Sequence, residues 1–227
     1  MDDIKRKILD ISHKAGACHI GSSLSCLEAI QAILEIKGDD YFIFSKASGI
    51  GAYYALVYDT DKAVDMLRRY PLPSKEAGMI WSGGSLGQGL SVACGLALAD
   101  RNKKVYVLMS DGELQEGQTW EAVMFAAHHK LKNLIVVVDN NGMQALGKTK
   151  DICNLKPLEE KFQAFGWCTS EVDGHSLKSL IIALKQRHKP HVVIANTIKG
   201  HGVKFIEDLG YKNHYFNLKD GYEKEIL

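Results

Sequence analysis

The sequence predicts an α/β fold, a doubly wound parallel sheet flanked by helices, and two observations carry that prediction. Val105–Asp111 and Ile135–Asn141 are apolar runs that each stop on an oxygen-bearing side chain, with one helix-length segment, Gln115 to Lys130, between them. Such a strand–helix–strand unit crosses over right-handedly, which makes its two strands parallel neighbours. Strand-like and helix-like stretches then go on alternating along the chain, the pattern of a doubly wound sheet.

The remaining elements follow in order. Ile4, Ile8 and Ile11 fall at helical spacing, so the chain opens with a helix that ends near Ala15-Gly16. A second helix is expected after Gly21, capped by Ser22 or Ser23, with Leu24, Leu27, Ile30, Ile33 and Leu34 as its buried stripe. Tyr41 to Ser45 reads as a short buried strand and Ala52 to Asp59 as the helix after it. Residues 60–80 are less regular, a short charged helix and then Pro71-Leu72-Pro73. The densest glycine cluster, Gly83 to Gly89, leads into Leu90–Leu98, a small-residue helix that reads as nearly all buried. Further helices are expected over Pro157–Phe165 and Leu177–Gln186, and strands over Trp167–Val172 and His191–Ala195. No internal repeat or domain boundary is evident, so residues 1–227 read as a single domain. Within it, 197–227 form a C-terminal tail expected to contact the domain or a partner.

Composition sets the class. Hydrophobic residues make up 46% and charged residues 24%, the balance of a soluble globular enzyme. Twenty-eight basic against 27 acidic residues leave a net charge of +1, which gives no electrostatic case for a nucleic-acid or membrane partner. The basic run Lys185–Lys189 reads as a solvated helix end. Five cysteines without a CxxC pair read as reduced, mostly buried thiols of a cytoplasmic protein. The N-terminus lacks an apolar signal-peptide core, and no run approaches the ~20 apolar residues of a membrane span.

The two strand ends are where chemistry is expected. In open α/β sheets ligands bind at the carboxyl edge, where Asp111 and Asn141 would sit side by side. A carboxylate and an amide carbonyl are hard oxygen ligands, suited to Mg²⁺ or Ca²⁺ rather than Zn²⁺. Gly112, directly after the acid, lets a phosphate approach the backbone. Together these features ask for a metal-bound diphosphate; read without it, Asp111 and Asn141 would be turn residues bonded to backbone. Gly83–Gly89 has the order GxxGxG, not the dinucleotide GxGxxG, and no clear strand precedes it, so nicotinamide binding is disfavoured. His19 alone reads as a hydrogen-bonded helix-end histidine, and Glu116 and Glu121 as exposed acids near a helix start. His128-His129 is no metal pair, because helical neighbours point about 100° apart.

Three segments resemble the diphosphate-binding part of transketolases, a thiamine diphosphate family. They are Ser110-Asp-Gly-Glu-Leu-Gln-Glu-Gly with Asp139-Asn-Asn-Gly-Met143, the loop Gly83-Gly-Ser-Leu-Gly-Gln-Gly89, and Gly16-Ala-Cys-His19-Ile-Gly21. The resemblance implies that Asp111, the Asn141 side chain and the Met143 carbonyl bind Mg²⁺, with Ca²⁺ or Mn²⁺ as substitutes. It implies that Gly112 donates a backbone N–H to the diphosphate, with Asn141 beside it, and that Gly84, Ser85 and Leu86 pass under the cofactor rings. His19, and His214 in preference to His201, become substrate-side catalytic histidines, and Glu116 and Glu121 acids at an interface between subunits.

The match also departs from the family. Ser48 stands where a histidine is usual, able to bond a phosphate oxygen but not to carry a proton; a second family histidine is missing around Leu72-Pro73. A full transketolase is more than twice as long and carries a second domain that this chain lacks. The resemblance therefore implies a split enzyme: this chain would be its N-terminal subunit, joined by a C-terminal, pyrimidine-binding subunit in an α₂β₂ assembly. The pair would move a two-carbon ketol unit from a ketose or ketose phosphate to an aldose. Alternatives are another thiamine diphosphate reaction, by a 2-oxo-acid decarboxylase or dehydrogenase or a sugar-modifying ligase, or a non-catalytic cofactor scaffold.

Overall fold

A computed structural model describes residues 2–185 and 188–225. Its centre is one parallel sheet of β1 (Tyr41–Phe44), β2 (Val105–Ser110), β3 (Leu134–Asn140), β4 (Cys168–Asp173) and β5 (His191–Asn196), in the order β1-β2-β3-β5-β4. β2 and β3 are neighbours as expected, with Ser110 opposite Asp139, and Asn140 lies opposite Asn196 of β5. All five strands are parallel and therefore deliver their carboxyl ends to the same edge.

Successive side chains on β2 and β3 point to opposite faces, and both faces are covered, which is why these strands are apolar throughout. One face presents Tyr106, Leu108, Ile135 and Val137 to a layer built from α1 (Asp3–Ala15), α2 (Ile20–Ser25), α3 (Leu27–Ile36), α4 (Ile50–Val57), α5 (Thr60–Arg69) and, from later in the chain, Leu180 and Leu184. The other presents Val105, Val107, Val136 and Val138 to α6 (Gly89–Ala99) and α7 (Gly117–His128), with Leu158 and Phe162 beyond them. The short α8 (Thr149–Ile152) is followed by α9 (Leu158–Ala164), which carries those two residues, and by α10 (Leu177–Leu184). The helix expected over 177–186 thus ends at Leu184; Gln186 and Arg187 lie outside the described residues.

Several boundaries differ from the sequence expectation, each for a local reason. The second helix starts at Ile20, and neither Ser22 nor Ser23 caps it; both donate their backbone N–H to the carbonyl of His19, which adopts the left-handed conformation (φ 66°). The apolar stripe runs on through Leu24 and Leu27, but the helix breaks at Cys26 (φ −104°, ψ 11°), giving α2 and α3. Asp59 does not end α4; its carboxylate caps α5 by accepting the Lys62 N–H at 2.9 Å. α6 is not nearly all buried: Ser91, Gly95, Leu98 and Ala99 form an exposed side. All five cysteines are free, but only Cys26 and Cys94 are fully buried and Cys153 is exposed.

After β5 the chain forms a loop, α11 (Lys204–Asp208), a 3₁₀ segment at Gly210–Tyr215 and another at Tyr222–Glu225. This stretch folds back on the domain, burying Ile206, Asn213, Leu218 and Tyr222. Ile226 and Leu227, the end of the expected tail, lie outside the described residues. No helix among the described residues is long and apolar enough to cross a membrane.

Candidate functional site

A cavity of about 260 Å³ opens at the carboxyl edge of the sheet. The ends of β1, β2, β3 and β5 contribute to its lining. Lys46 and Ser48 follow β1, Ser110 and Gly112 end β2, Asn141 and Met143 follow β3, and Lys199 follows β5. His19 and Ser22 come from the start of α2, Gly84 and Leu86 from the glycine loop, and His214 and Tyr215 from the 3₁₀ segment.

Beneath the cavity lies a buried polar network. The Asp139 carboxylate, on β3, accepts from the Lys46 ammonium at 2.7 Å, from Ser25 Oγ at 2.7 Å, from Asn141 Nδ2 at 3.0 Å and from Thr197 Oγ1. Burial alone would raise the Asp139 carboxyl, but the Lys46 ammonium and the hydroxyl donors outweigh it and hold it below the usual range. With Nδ2 committed to Asp139, the Asn141 amide presents its Oδ1 on the other side, where it accepts the Met143 N–H at 2.9 Å.

Asp111 is almost fully buried and has no ion-pair partner among the described residues. Its Oδ1 accepts the Gly112 N–H at 2.9 Å; its Oδ2 accepts the Gly142 N–H at 2.8 Å and the Thr149 hydroxyl at 3.2 Å. Burial and the nearby Asp139 charge push its carboxyl up to about 7. The acid and the asparagine thus make the turn bonds expected of such residues while meeting at one edge, as their strand positions require.

Two imidazoles in the lining meet edge to face. His19 and His214 have ring centroids 4.6 Å apart, and the His19 N–H donates to the His214 carbonyl at 3.2 Å. Burial, with the Lys199 ammonium close by, lowers both, His214 to about 3. Lys199 itself is pushed down to about 8 by burial and by the Lys46 charge, and its Nζ lies 3.2 Å from His214 Nδ1. At neutral pH the cavity therefore holds two neutral rings and two ammonium groups, of which Lys46 is ion-paired within the described residues.

Of the residues singled out in the sequence, the structure brings His19, Ser48, Gly84, Leu86, Gly112, Asn141, Met143 and His214 to this cavity, with Asp111 directly behind Gly112. It leaves Ser85 outside; that residue is exposed, and its hydroxyl accepts from Gln88 Nε2 at 3.1 Å. The Gly112 N–H points to Asp111 Oδ1. Glu116 and Glu121 are exposed and away from the cavity, Glu121 beside Ser91, Cys94 and Phe125 on the uncovered side of α6 and α7. His201 does not reach the site; it stacks on His175, near Glu28.

Sequence reasoning missed Lys46, Asp139, Lys199, Tyr215 and Glu113. The fully buried Glu113 accepts from Ser45 Oγ at 2.5 Å, the Gly87 N–H at 3.2 Å and the Ser110 N–H at 3.0 Å. It thereby ties the glycine loop to the ends of β1 and β2. The available signal was a charged residue flush with the end of a buried apolar strand, as at Lys46 and Asp139.

Comparison with known proteins gives the family. The family model described as transketolase, thiamine diphosphate binding domain, matches residues 69–220. An apulose-4-phosphate transketolase subunit from Actinobacillus succinogenes is 37% identical over 254 residues, covering 98% of this chain and 91% of that protein. The 6-deoxy-6-sulfo-D-fructose transketolase subunit SqwG of a Clostridium species is 37% identical over 234 residues, covering 90% and 85%. Among solved structures, transketolase from Campylobacter jejuni superposes with a TM-score of 0.85 at 24% identity, over 98% of this chain but 41% of that one. The chain thus spans less than half of that solved transketolase while matching the two subunits almost end to end. With its parallel sheet, its edge cavity and these matches, the chain belongs to the transketolase family and is a thiamine diphosphate-binding domain of it.

Proposed function

We propose that this chain is the N-terminal, cofactor-binding subunit of a two-component transketolase, which moves a two-carbon ketol unit from a ketose or ketose phosphate to an aldose. The observation that carries the reading is the edge cavity, in which the Asp111–Gly112 strand end, Asn141, the glycine loop, His19 and His214 converge. The end-to-end match to proteins named as transketolase subunits supports a separate partner chain, a C-terminal pyrimidine-binding subunit in an α₂β₂ assembly. Unpaired cysteines fit a cytoplasmic setting.

The residues present fit a magnesium-bound diphosphate. Asp111 is a buried carboxylate without a cationic partner among the described residues, and a carboxylate, an amide oxygen and a main-chain carbonyl are the donor set Mg²⁺ prefers. Asp111, Asn141 Oδ1 and the Met143 carbonyl would hold the ion, with Ca²⁺ or Mn²⁺ able to replace it. Lys199 and Ser48 would face the diphosphate beside Gly112, whose N–H is held by Asp111 Oδ1, and Gly84 and Leu86 the rings. Thiamine diphosphate, when bound, supplies the nucleophilic carbon that accepts and releases the ketol fragment.

This chain's own groups would then bind, orient and exclude water. His19 and His214, both neutral, can accept a hydroxyl proton from the sugar or donate to its oxygen. The Lys199 ammonium beside them favours the neutral ring, so a proton taken up there is readily returned. Mixing the purified chain with the product of an adjoining reading frame tests the assignment. Ketose-dependent aldose extension is expected from the pair with cofactor and Mg²⁺, and none from either chain alone; turnover by this chain alone would overturn the split reading.

A further inference from the structure

Behind His19 and Ser48 lies a second cavity of about 340 Å³, larger than the 260 Å³ of the first, and the two share His19, Ser48 and Leu72 as a common wall. Its lining is unlike that of the first. Ser12, Ser23 and Ser48 join small and aliphatic residues in it, and the described lining contains no lysine, arginine, aspartate or glutamate. Its titratable groups are His19, which burial and the Lys199 charge keep neutral, and Cys18, whose thiol is pushed up by burial.

The lining takes in Gly16 at the C-terminal end of the 13-residue α1, where backbone carbonyls concentrate negative partial charge, and Ile50 and Gly51 at the start of α4. Those two poles oppose one another, and the Ile50 N–H is already taken by the Ala47 carbonyl. The nearby cation Arg68 is exposed on the outer surface and donates to the Lys14 carbonyl at 2.5 Å.

A phosphate placed here would lose its hydration without an ammonium or a guanidinium of the described lining to replace it. A polyol chain would lose little, since hydroxyls on the wall can exchange bonds with it while its carbons meet Ile50 and Leu67. We propose that this cavity is a substrate subsite for the uncharged carbon chain of a sugar, and that it admits a free aldose in preference to its terminal phosphate. The inference rests on the transketolase reading above, and it sets this chain apart from relatives named for a phosphorylated or sulfonated sugar.

Two measurements test it. Cys18 lies in the wall, so the lone chain can be labelled with a neutral methanethiosulfonate and with its sulfonate-bearing analogue of similar size, using exposed Cys153 as the internal reference. Peptide mass spectrometry is expected to show Cys18 reacting roughly tenfold faster with the neutral reagent after that correction. With the reconstituted pair, an aldotetrose is expected to exceed its 4-phosphate roughly tenfold in kcat/KM. Ala17→Leu, which fills the cavity, should raise KM for the free aldose and leave cofactor affinity unchanged. Equal labelling rates, or a preference for the phosphate, would overturn the subsite. Selective labelling together with no ketose-dependent turnover would instead overturn the transketolase reading while leaving the cavity's charge preference standing.

Discussion

Lys46 and Asp139 form a wholly buried ion pair, 2.7 Å from nitrogen to oxygen, that joins the end of β1 to β3 across the intervening β2. Lys46 also donates to the Ser22 carbonyl at 2.7 Å and to Ser25 Oγ at 3.2 Å, so one ammonium holds the start of α2 against the sheet. The pair thus fixes where His19, Ser48 and Asn141 stand around the cavity.

Removing one partner leaves the other charge buried and unpaired. Lys46→Met is expected to cost about 3–5 kcal/mol in a urea unfolding experiment. Adding Asp139→Asn should recover part of that loss, because the stranded carboxylate goes with it. A double variant less stable than the single one by the full cost of Asp139→Asn would show that the two residues act independently.

Asp111→Ala should abolish Mg²⁺-dependent binding of thiamine diphosphate while leaving the circular dichroism spectrum unchanged. Ser48→Ala removes one hydroxyl contact and should weaken binding by roughly 2–10-fold. Isothermal titration with and without Mg²⁺ separates the two; equal effects would contradict the assignment of Asp111 to the metal.

Lys199 gives a pH signature. Its ammonium, pushed down to about 8 by burial, is charged below that value and loses its proton above it. A bound diphosphate favours the charged form, so the contribution of Lys199 to affinity is present below about 8 and lost as pH rises through it, whereas the Asp111 carboxyl, pushed up to about 7, weakens metal-dependent binding as pH falls through that value. Lys199→Met should start roughly tenfold weaker and lack the decline at high pH, whereas Lys199→Arg should keep affinity there. A wild-type profile that stays flat across this range would remove Lys199 from the cofactor's partners.

Two glycines of the same helix should respond in opposite directions. A Cβ on Gly89 would stand 2.6 Å from the Ser45 Cβ, beside the hydroxyl that Glu113 holds. Gly89→Ala is therefore expected to destabilise by about 1–3 kcal/mol. A Cβ on Gly95 meets nothing within 4 Å, and Gly95→Ala should stabilise the lone chain by roughly 0.5–1 kcal/mol. Thermal unfolding of the two variants compares them directly.

Much of this arrangement was legible in the sequence because it depends on short-range pattern. The apolar runs ending at Asp111 and Asn141 gave two adjacent strands, and their shared edge followed from handedness alone. What escaped was set by distant partners. No local signal pairs Lys46 with Asp139 or Ser45 with Glu113, since each pair meets only once the sheet has formed. The break at Cys26 was hidden because the apolar stripe continues through it. The exposed side of α6 was hidden because glycine, alanine and serine read alike on a covered or an open face. Ser85 lies inside the matching glycine loop, yet its side chain turns away from the cavity, a matter of backbone direction that residue identity does not reveal.

The bond from the His19 N–H to the His214 carbonyl closes the cavity between residues near opposite ends of the chain. During synthesis, α1 to α7 and the strands among them can assemble while the ribosome is still at work, but one wall stays missing until Lys199, His214 and Tyr215 have left the exit tunnel. A nascent chain therefore cannot hold the cofactor through these groups. A translation arrest that removes this last stretch would leave the edge without that wall and uncover the part of the core that Ile206, Leu218 and Tyr222 complete.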